Sequence, residues 1–180
     1  MKTENDYSRF LDGDREAFAR IVDEYYDPLS LYLNTYFRDL NAAEEAAEDV
    51  FVKLATKKPR FSAKSSFKTW LYAIGRNVAL DKLRAMSRHE ESPIDEACDV
   101  PSDHEIENEY LKTERNVSLH KAMKRLKSEY RQSLWLMYFE SLSVNEIALV
   151  MKKSVSAVDH LLRRGREELK KELEKEGITL

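Results

Sequence analysis

Basic side chains and aromatic rings are interleaved between residues 57 and 84. The polar segment KKPRFSAKSS holds Arg60, Phe61 and Lys64, and the helical pattern FKTWLYAIGRNVALDKLR follows it from residue 67. Single-stranded nucleic acid needs both kinds of side chain, because cations pair with phosphates and rings stack on bases. The stretch therefore predicts a nucleic-acid contact, with further candidates on the helix at Lys68, Trp70, Arg76, Asn77, Asp81 and Arg84. The alternative places Trp70 in the core and treats Asn77 with Asp81 as a local polar pair.

A second candidate lies near the C-terminus, where LSVNEIALVMKKSVSAVDHLLRRGREEL reads as two short helices joined by a tight polar turn. Ser143 and Glu146 fit a capping box, and Ser154 is placed to cap the second helix. This spacing is typical of a helix-turn-helix, whose second helix presents its N-terminal residues to base edges in the major groove. The side chains predicted to reach DNA are Ser154, Ser156, Asp159, His160, Arg163 and Arg164. The alternative is a helical corner without DNA contact.

The elements that position these residues are predicted to be helices. The chain has 180 residues with only 4 Gly and 4 Pro, and its apolar residues recur at helical spacing. Asp27 before Pro28 predicts that one helix ends there and another begins. Asn41 with Glu44 resembles a capping box and predicts a third helix over about 42–57. The side chains expected to be buried are Ala43, Ala47, Val50 and Leu54 in that helix, Phe67, Leu71, Ile74 and Val78 in the next, and Ile147, Ala148, Met151, Val158, Leu162 and Leu169 near the C-terminus.

The third helix carries an acidic stripe on its outward side, formed by Glu44, Glu45, Glu48 and Asp49. Like charges at i, i+4 repel one another on a helix. The stripe is thus too dense to serve helix stability alone, and it predicts a basic partner surface.

Charge is segregated along the chain far more strongly than the net charge of -3 indicates. Residues 1–52 carry -8, residues 53–88 carry +9, residues 89–109 carry -9 and residues 110–180 carry +5. Four blocks of alternating sign predict a protein that meets polyanions with two separate patches and another partner with its acidic surfaces.

The run AEEAAEDVFVKL, followed by FKTWLYAIGRNVALDKLR and a terminal helix-turn-helix, resembles the extracytoplasmic-function (ECF) sigma factors of bacterial RNA polymerase. The resemblance implies an all-α fold of two small helical domains. A sigma region 2 bundle would occupy 1–85 and a region 4 helix-turn-helix 112–180, joined by a flexible acidic linker at 86–111. In the family, region 2 docks on a coiled coil of the polymerase β′ subunit and opens the promoter's -10 element, while region 4 reads the -35 element.

The resemblance also assigns roles to residues. The family's docking motif falls on AEEAAEDVF, which makes Glu44, Glu45, Glu48, Asp49 and Phe51 the expected polymerase contacts, with Glu48 where the family usually has Gln. The -10-reading part falls on the loop around Arg60 and Phe61 and on the helix bearing Trp70. The family's GTVKSRL-like recognition run is SAVDHLL here, so Asp159 replaces a commonly basic residue. A carboxylate at that position can accept a hydrogen bond from a cytosine amino group.

The linker's length permits the two domains to reach both promoter elements. Elements centred near -10 and -35 are separated by about 85 Å at roughly 3.4 Å per base pair. Some 25 residues span about 80–90 Å when fully extended, but only roughly 28 Å as a free coil. The chain is therefore expected to bridge both elements only when the polymerase holds it stretched.

The implied partners are core polymerase, through its β′ coiled coil and β flap, promoter DNA, and an anti-sigma factor, with the free chain a monomer.

No catalytic motif, cofactor site or metal site is predicted: the chain lacks HExxH and GxxxxGK[ST], and His89, Cys98 and His104 are read as chance neighbours in a flexible segment. The single cysteine and the lack of long apolar runs predict a cytoplasmic protein without membrane insertion. The alternatives are a dimeric helix-turn-helix regulator and a protein-binding helical adaptor.

Overall fold

A computed structural model describes residues 2–89, 114–175 and 177, and within these residues the chain is helical without strands. The elements are α1 Lys2–Leu11, α2 Arg15–Phe37, α3 Leu40–Lys57, α4 Phe67–His89, α5 Glu114–Arg125, α6 Ser128–Tyr138, α7 Val144–Met151 and α8 Val155–Lys175. The all-α fold class is thereby confirmed. No helix in the described ranges is long and apolar enough to cross a bilayer.

Helices α1–α4 form the first body, and α2 corrects one prediction. The sequence predicts a helix break at Asp27 and Pro28, but α2 runs unbroken through Pro28. A proline inside a helix costs about 3 kcal/mol. Buried side chains on both sides of it, Ile21, Tyr25 and Leu29 among them, each contribute roughly 1.5–3 kcal/mol. Their continuous stripe outweighs the lost backbone hydrogen bond.

The start of α3 corrects a second prediction. Its N-cap is Asp39 and not Asn41, because the Asp39 carboxylate accepts hydrogen bonds from the amides of Asn41 and Ala42. A carboxylate at this position also complements the positive end of the helix dipole. The buried side chains predicted for α3 are confirmed, with Ala46 and Phe51 in addition.

The helix α4 is longer than predicted at its C-terminal end. The predicted domain boundary at residue 85 falls inside α4, which continues to His89. The added residues AMSRH contain neither Gly nor Pro, so nothing in their backbone chemistry stops the helix. Residues 90–113, which hold most of the predicted linker together with Cys98 and His104, lie outside the described residues.

Helices α5–α8 form the second body and carry the predicted helix-turn-helix. The capping box of Ser143 and Glu146 is present at the start of α7, and the Ser154 hydroxyl accepts a hydrogen bond from the Ala157 amide. The inward side chains are confirmed, including Ile147 and Val158, both fully buried, and Leu169 packs partly buried against the core.

The two bodies pack directly against each other. Helix α2 lies against α6, and α4 lies against α7. The buried apolar side chains of both bodies form one contiguous cluster. The first body therefore meets the second body with both α2 and one side of α4.

Candidate nucleic-acid interface and acidic face

The outward side of α3 is an exposed acidic face, here called the acidic face, formed by Glu44, Glu45, Glu48 and Asp49. Glu44 is half-buried and the other three are exposed. Lys82 of α4 lies at its edge, with its ammonium 2.9 Å from an Asp49 carboxylate oxygen and 3.6 Å from one of Glu45. Within the described residues the ion pairs of this face are those with Lys82, and most of its negative charge is left for a basic partner surface.

Phe51 does not belong to this exposed face, although the sequence places it among the polymerase contacts. Its side chain is only 6% exposed and packs against the rings of Phe18 and Tyr26. Position 51 is one turn or less from Ala47 and Val50, so it shares their buried stripe. Phe51 supports the helix from inside, and the four acids are the groups that face outward.

An aromatic cluster of Tyr7, Phe61, Phe67 and Trp70 lies where α1, the 58–66 loop and α4 meet. The Trp70 ring centroid is 5.3 Å from those of both Tyr7 and Phe61. The Tyr7 hydroxyl donates a 2.7 Å hydrogen bond to the Pro59 carbonyl, which fixes the loop against α1. Burial raises the pKa of Tyr7 to about 12, so its hydroxyl remains a donor. Trp70 and Phe61 are half-buried, and each thus combines a packed ring face with some exposed area.

Tyr7 is the member of this cluster that sequence reasoning missed. The sequence signal was the spacing of Tyr7 and Phe10, because residues three apart share one face of a helix. In the structure their ring centroids lie 6.1 Å apart. The short polar start of the chain otherwise gave little reason to expect a packed helix.

The predicted nucleic-acid residues of the first body fall on different surfaces. Arg60 and Lys64 are exposed on the loop beside the aromatic cluster. Along α4, the positions Trp70, Asn77, Asp81 and Arg84 follow one side, and Asp81 and Arg84 form an exposed ion pair of 2.9 Å. Lys68 and Arg76 follow the opposite side together with Tyr72.

That opposite side of α4 contacts the second body. The Lys68 ammonium lies 2.9 Å from the Glu140 carboxylate and donates a 2.8 Å hydrogen bond to the Glu140 carbonyl. Arg76 lies near the buried hydroxyls of Tyr32 and Tyr36. In this arrangement Lys68 and Arg76 are therefore less accessible to a nucleic acid than Arg60 and Lys64 are.

The first turns of α8 carry the predicted DNA-reading residues of the second body on one exposed surface. The exposed side chains are Ser156, Asp159, His160, Arg163 and Arg164. Glu167 lies 3.4 Å from the Arg163 guanidinium and 3.5 Å from that of Arg164. Both pairs are exposed, so phosphates can displace Glu167 at little cost.

His120 of α5 is half-buried between Trp135 and Phe139, with ring centroids 5.8 and 5.6 Å away. Burial, with a smaller contribution from Lys124, lowers the pKa of His120 below 6.5. The unfolded chain then binds more protons than the folded one just below pH 6.5, so stability falls as pH falls through this range.

We expect His120→Phe to remove this contribution, because a phenyl ring can keep the edge and tilted contacts with Trp135 and Phe139 and does not titrate. In urea unfolding at a series of pH values, the free energy of unfolding of wild type should decline more steeply below pH 6.5 than that of the variant. Parallel pH profiles for the two proteins would contradict the assignment.

Comparison with known proteins agrees with this division into two bodies. The family model for Sigma-70 region 2 matches residues 21–89, and that for Sigma-70 region 4 matches residues 116–169. The two models together account for more than half of the chain and fall on the first and second body respectively.

Individual proteins align over most of their length. The chain is 29% identical to the RNA polymerase sigma-H factor of Pseudomonas aeruginosa, covering 90% of this chain and 89% of that protein. It is 27% identical to the ECF RNA polymerase sigma factor SigW of Bacillus subtilis, covering 89% and 91%. Among solved structures, CnrH in complex with the cytosolic domain of CnrY superposes with a TM-score of 0.69 at 19% identity, covering 97% of this chain and 99% of that one. The two family models and the curated relatives together show that the chain belongs to the ECF group of sigma factors.

Proposed function

We propose that this chain binds core RNA polymerase and directs it to promoters by reading a -35 element with α8 and opening a -10 element with the first body. The single observation that carries the proposal is the combination, in one chain, of an exposed acidic helix, a basic loop beside half-exposed aromatic rings, and a helix-turn-helix. A stand-alone regulator needs only the last of these.

The aromatic cluster is suited to hold separated DNA strands. Stacking of a base on an aromatic side chain is worth about 1–3 kcal/mol. Phe61 and Trp70 are already fixed by packing against Tyr7 and Phe67, so little side-chain entropy is lost when a base binds. Arg60 and Lys64 beside them supply cations for the phosphates of the same strand.

The arginines of α8 are proposed to hold phosphates and not to select bases. Replacing both with Ala (Arg163→Ala, Arg164→Ala) should weaken binding of the assembled polymerase to all promoters by a similar factor. The slope of log affinity against log salt should become shallower by about 2, since roughly one counterion is released per phosphate contact. Filter binding across a salt series measures both quantities, and loss confined to one promoter sequence would contradict the assignment.

Asp159 is proposed to read a base, because it is exposed one turn into α8, where helix-turn-helix side chains reach base edges. Asp159→Lys should change which -35 sequences are used, with a discrimination of about 1–3 kcal/mol per base pair. Selection from a randomised -35 library by the assembled polymerase tests this. An unchanged preference in the variant would remove Asp159 from the readout.

The expected partner surfaces follow from the same geometry. The acidic face suits the β′ coiled coil, and the second body is proposed to meet the β flap. An anti-sigma factor is a further proposed partner, because solved structures with this fold include a sigma factor in complex with the anti-sigma factor NepR from Bartonella quintana. Such a partner would cover the polymerase-facing and DNA-facing surfaces.

Reconstitution with core polymerase tests the function. The purified chain should co-purify with core polymerase and produce run-off transcripts of defined length from a subset of genomic fragments, while core polymerase alone produces none. The rival, a dimeric helix-turn-helix regulator, predicts a symmetric dimer that binds duplex DNA tightly without polymerase. That second outcome would overturn the proposal.

A further inference from the structure

Helix α1 is fixed against α2 by polar contacts at two points. The Thr3 hydroxyl donates a 3.1 Å hydrogen bond to a Glu24 carboxylate oxygen, and the Arg20 guanidinium lies 2.6 Å from the Asp6 carboxylate. The Asp6 side chain is only 9% exposed, and a carboxylate buried to this degree requires a paired cation. Helix α1 is therefore an integral part of the first body, although it lies outside the residues that the Sigma-70 region 2 model matches.

From this position α1 holds the start of the 58–66 loop with two side chains. Tyr7 is 1% exposed, and its hydroxyl donates the 2.7 Å hydrogen bond to the Pro59 carbonyl. The Lys58 ammonium lies 5.1 Å from the centroid of the Phe10 ring, within the range of a cation–π contact. Tyr7 and Phe10 are three residues apart and share one face of α1. That face therefore contacts two consecutive residues of the loop.

The backbone of the loop has a shape that needs such support. Lys58 and Ala63 have φ angles of 44° and 52°, in the left-handed region that is unfavourable for residues other than glycine. Such conformations persist where the surrounding contacts determine them. At the far end of the loop, the Ser66 hydroxyl accepts a 3.2 Å hydrogen bond from the Thr69 amide. Ala63 thus lies between two fixed ends, and at the first of them the fixing contact comes from α1.

The loop in turn positions one of the rings that are proposed to receive a DNA base. Phe61 follows Pro59 by two residues, and its ring centroid lies 5.3 Å from that of Trp70. Trp70 lies equally close to Tyr7, so Tyr7 contacts the partner of Phe61 directly and reaches Phe61 itself through the loop backbone. A surface that is fixed before binding loses less conformational entropy when a ligand binds.

We propose that α1 is a positioning element for strand opening: the bond from Tyr7 to Pro59 fixes the 58–66 loop in the shape that holds one strand of the opened -10 element. The inference rests on the proposed function. Tyr7 is too deeply buried to touch DNA, so it is a positioning residue that acts through the loop and through Trp70. Loss of its hydroxyl lowers the affinity for single-stranded -10 DNA and leaves the reading of duplex -35 DNA by α8 unchanged.

The test compares full-length wild type, Tyr7→Phe and the control Tyr130→Phe. Tyr7→Phe removes only the hydroxyl and keeps the ring contacts, and Tyr130→Phe removes a hydroxyl from a half-buried tyrosine of the second body. Hydrogen–deuterium exchange of the free chain measures how firmly the backbone of residues 60–66 is held. Fluorescence anisotropy of the assembled polymerase measures affinity for two probes: a single-stranded -10 oligonucleotide and a -35 duplex, both from a promoter found by run-off transcription.

We expect Tyr7→Phe to exchange about fivefold faster in residues 60–66 and to bind the single-stranded probe about fivefold more weakly, since one hydrogen bond contributes on this order. Its affinity for the -35 duplex should equal that of wild type, and Tyr130→Phe should match wild type in all three measurements. A purely structural role of Tyr7 would lower both DNA affinities by the same factor. Equal loss on both probes, unchanged exchange in the loop, or faster exchange without weaker single-strand binding would each overturn the inference.

A second variant loosens α1 without touching the loop or the aromatic cluster. Arg20→Gln removes the charge that pairs with Asp6, and Arg15→Gln is the control, since Arg15 is exposed on the same helix α2. We expect Arg20→Gln to raise exchange both in α1 and in residues 60–66, and to weaken single-strand binding as Tyr7→Phe does. Faster exchange in α1 with unchanged exchange in the loop would show that the loop does not depend on α1.

Failure of this inference is distinguishable from failure of the proposed function. If wild type directs promoter-specific transcription and the variants give one of the contradicting results, the positioning role of α1 is wrong and the proposed function stands. If wild type directs no promoter-specific transcription with core polymerase, the proposed function fails, and the inference that rests on it fails with it.

Discussion

Neutralising the three exposed acids of the acidic face should strongly weaken polymerase binding while leaving the fold intact. We expect the triple variant Glu45→Gln, Glu48→Gln, Asp49→Asn to bind core polymerase at least about 100-fold more weakly. Close charge pairs across an interface contribute on the order of 1.5 kcal/mol or more each, and about 1.4 kcal/mol is a factor of ten in affinity. Fluorescence anisotropy of labelled chain titrated with core polymerase measures the loss.

The thermal stability of this variant separates a lost contact from a lost fold. Glu45 and Asp49 are spaced i, i+4 on α3 and repel each other, so the variant should melt no lower than about a degree or two below wild type even without the Lys82 pairs. The matched control is Asp12→Asn, Glu16→Gln, Asp23→Asn, which removes the same charge from exposed positions elsewhere on the first body. If both triple variants lose affinity equally, net charge and not the acidic face governs binding.

The second large effect is expected from filling the close approach between α6 and α8. Gly165 is the contact point, since a Cβ added there would lie 3.2 Å from Leu134 Cγ and 3.3 Å from Tyr130 Cβ. A Cβ alone needs only a small shift of these neighbours, but a whole leucine side chain has no space between them unless α6 and α8 move apart. Gly165→Leu should lower the free energy of unfolding by about 2–3 kcal/mol or more.

Urea unfolding followed by circular dichroism measures this loss, with Lys170→Leu as control. Lys170 is exposed on the same helix, and surface substitutions of this kind usually change stability by less than about 0.5 kcal/mol. The Gly165→Leu chain should also lose -35-dependent transcription, because α8 is displaced from α6, which supports it in the second body. A Gly165→Leu chain as stable as the control would show that the second body is looser than described.

Local chemistry made several elements of the fold predictable from sequence. The capping box at Ser143 is encoded within four residues, and the buried stripe of α3 follows from helical periodicity alone. The helix break predicted at Pro28 was wrong, because burial in the tertiary structure outweighed the local preference of proline for a helix start. The residues next to Pro28 in the sequence do not reveal that burial.

The contacts between the bodies could not be predicted, because they depend on residues far apart in the chain. Arg131 and Thr35 are 96 positions apart, and nothing near Arg131 marks it as buried. Glu140 follows the apolar run LWLMYF and would ordinarily be read as a solvated helix end. The division of α4 into two sides was likewise hidden, since Lys68 pairs with Glu140 and Trp70 packs against Tyr7, and both partners are far away in the chain.

Simultaneous footprinting of both promoter elements tests the central claim most directly. On a promoter found by run-off transcription, core polymerase with this chain should protect a -35 segment from cleavage and render thymines near -10 reactive to permanganate, with the two centres about 25 base pairs apart. Trp70→Ala should reduce the permanganate signal and preserve -35 protection. Two results would contradict the claim that two helical bodies act at separated points through the polymerase. One is protection of a symmetric duplex site by the chain alone, and the other is transcription in which the opening of the -10 strands does not depend on this chain.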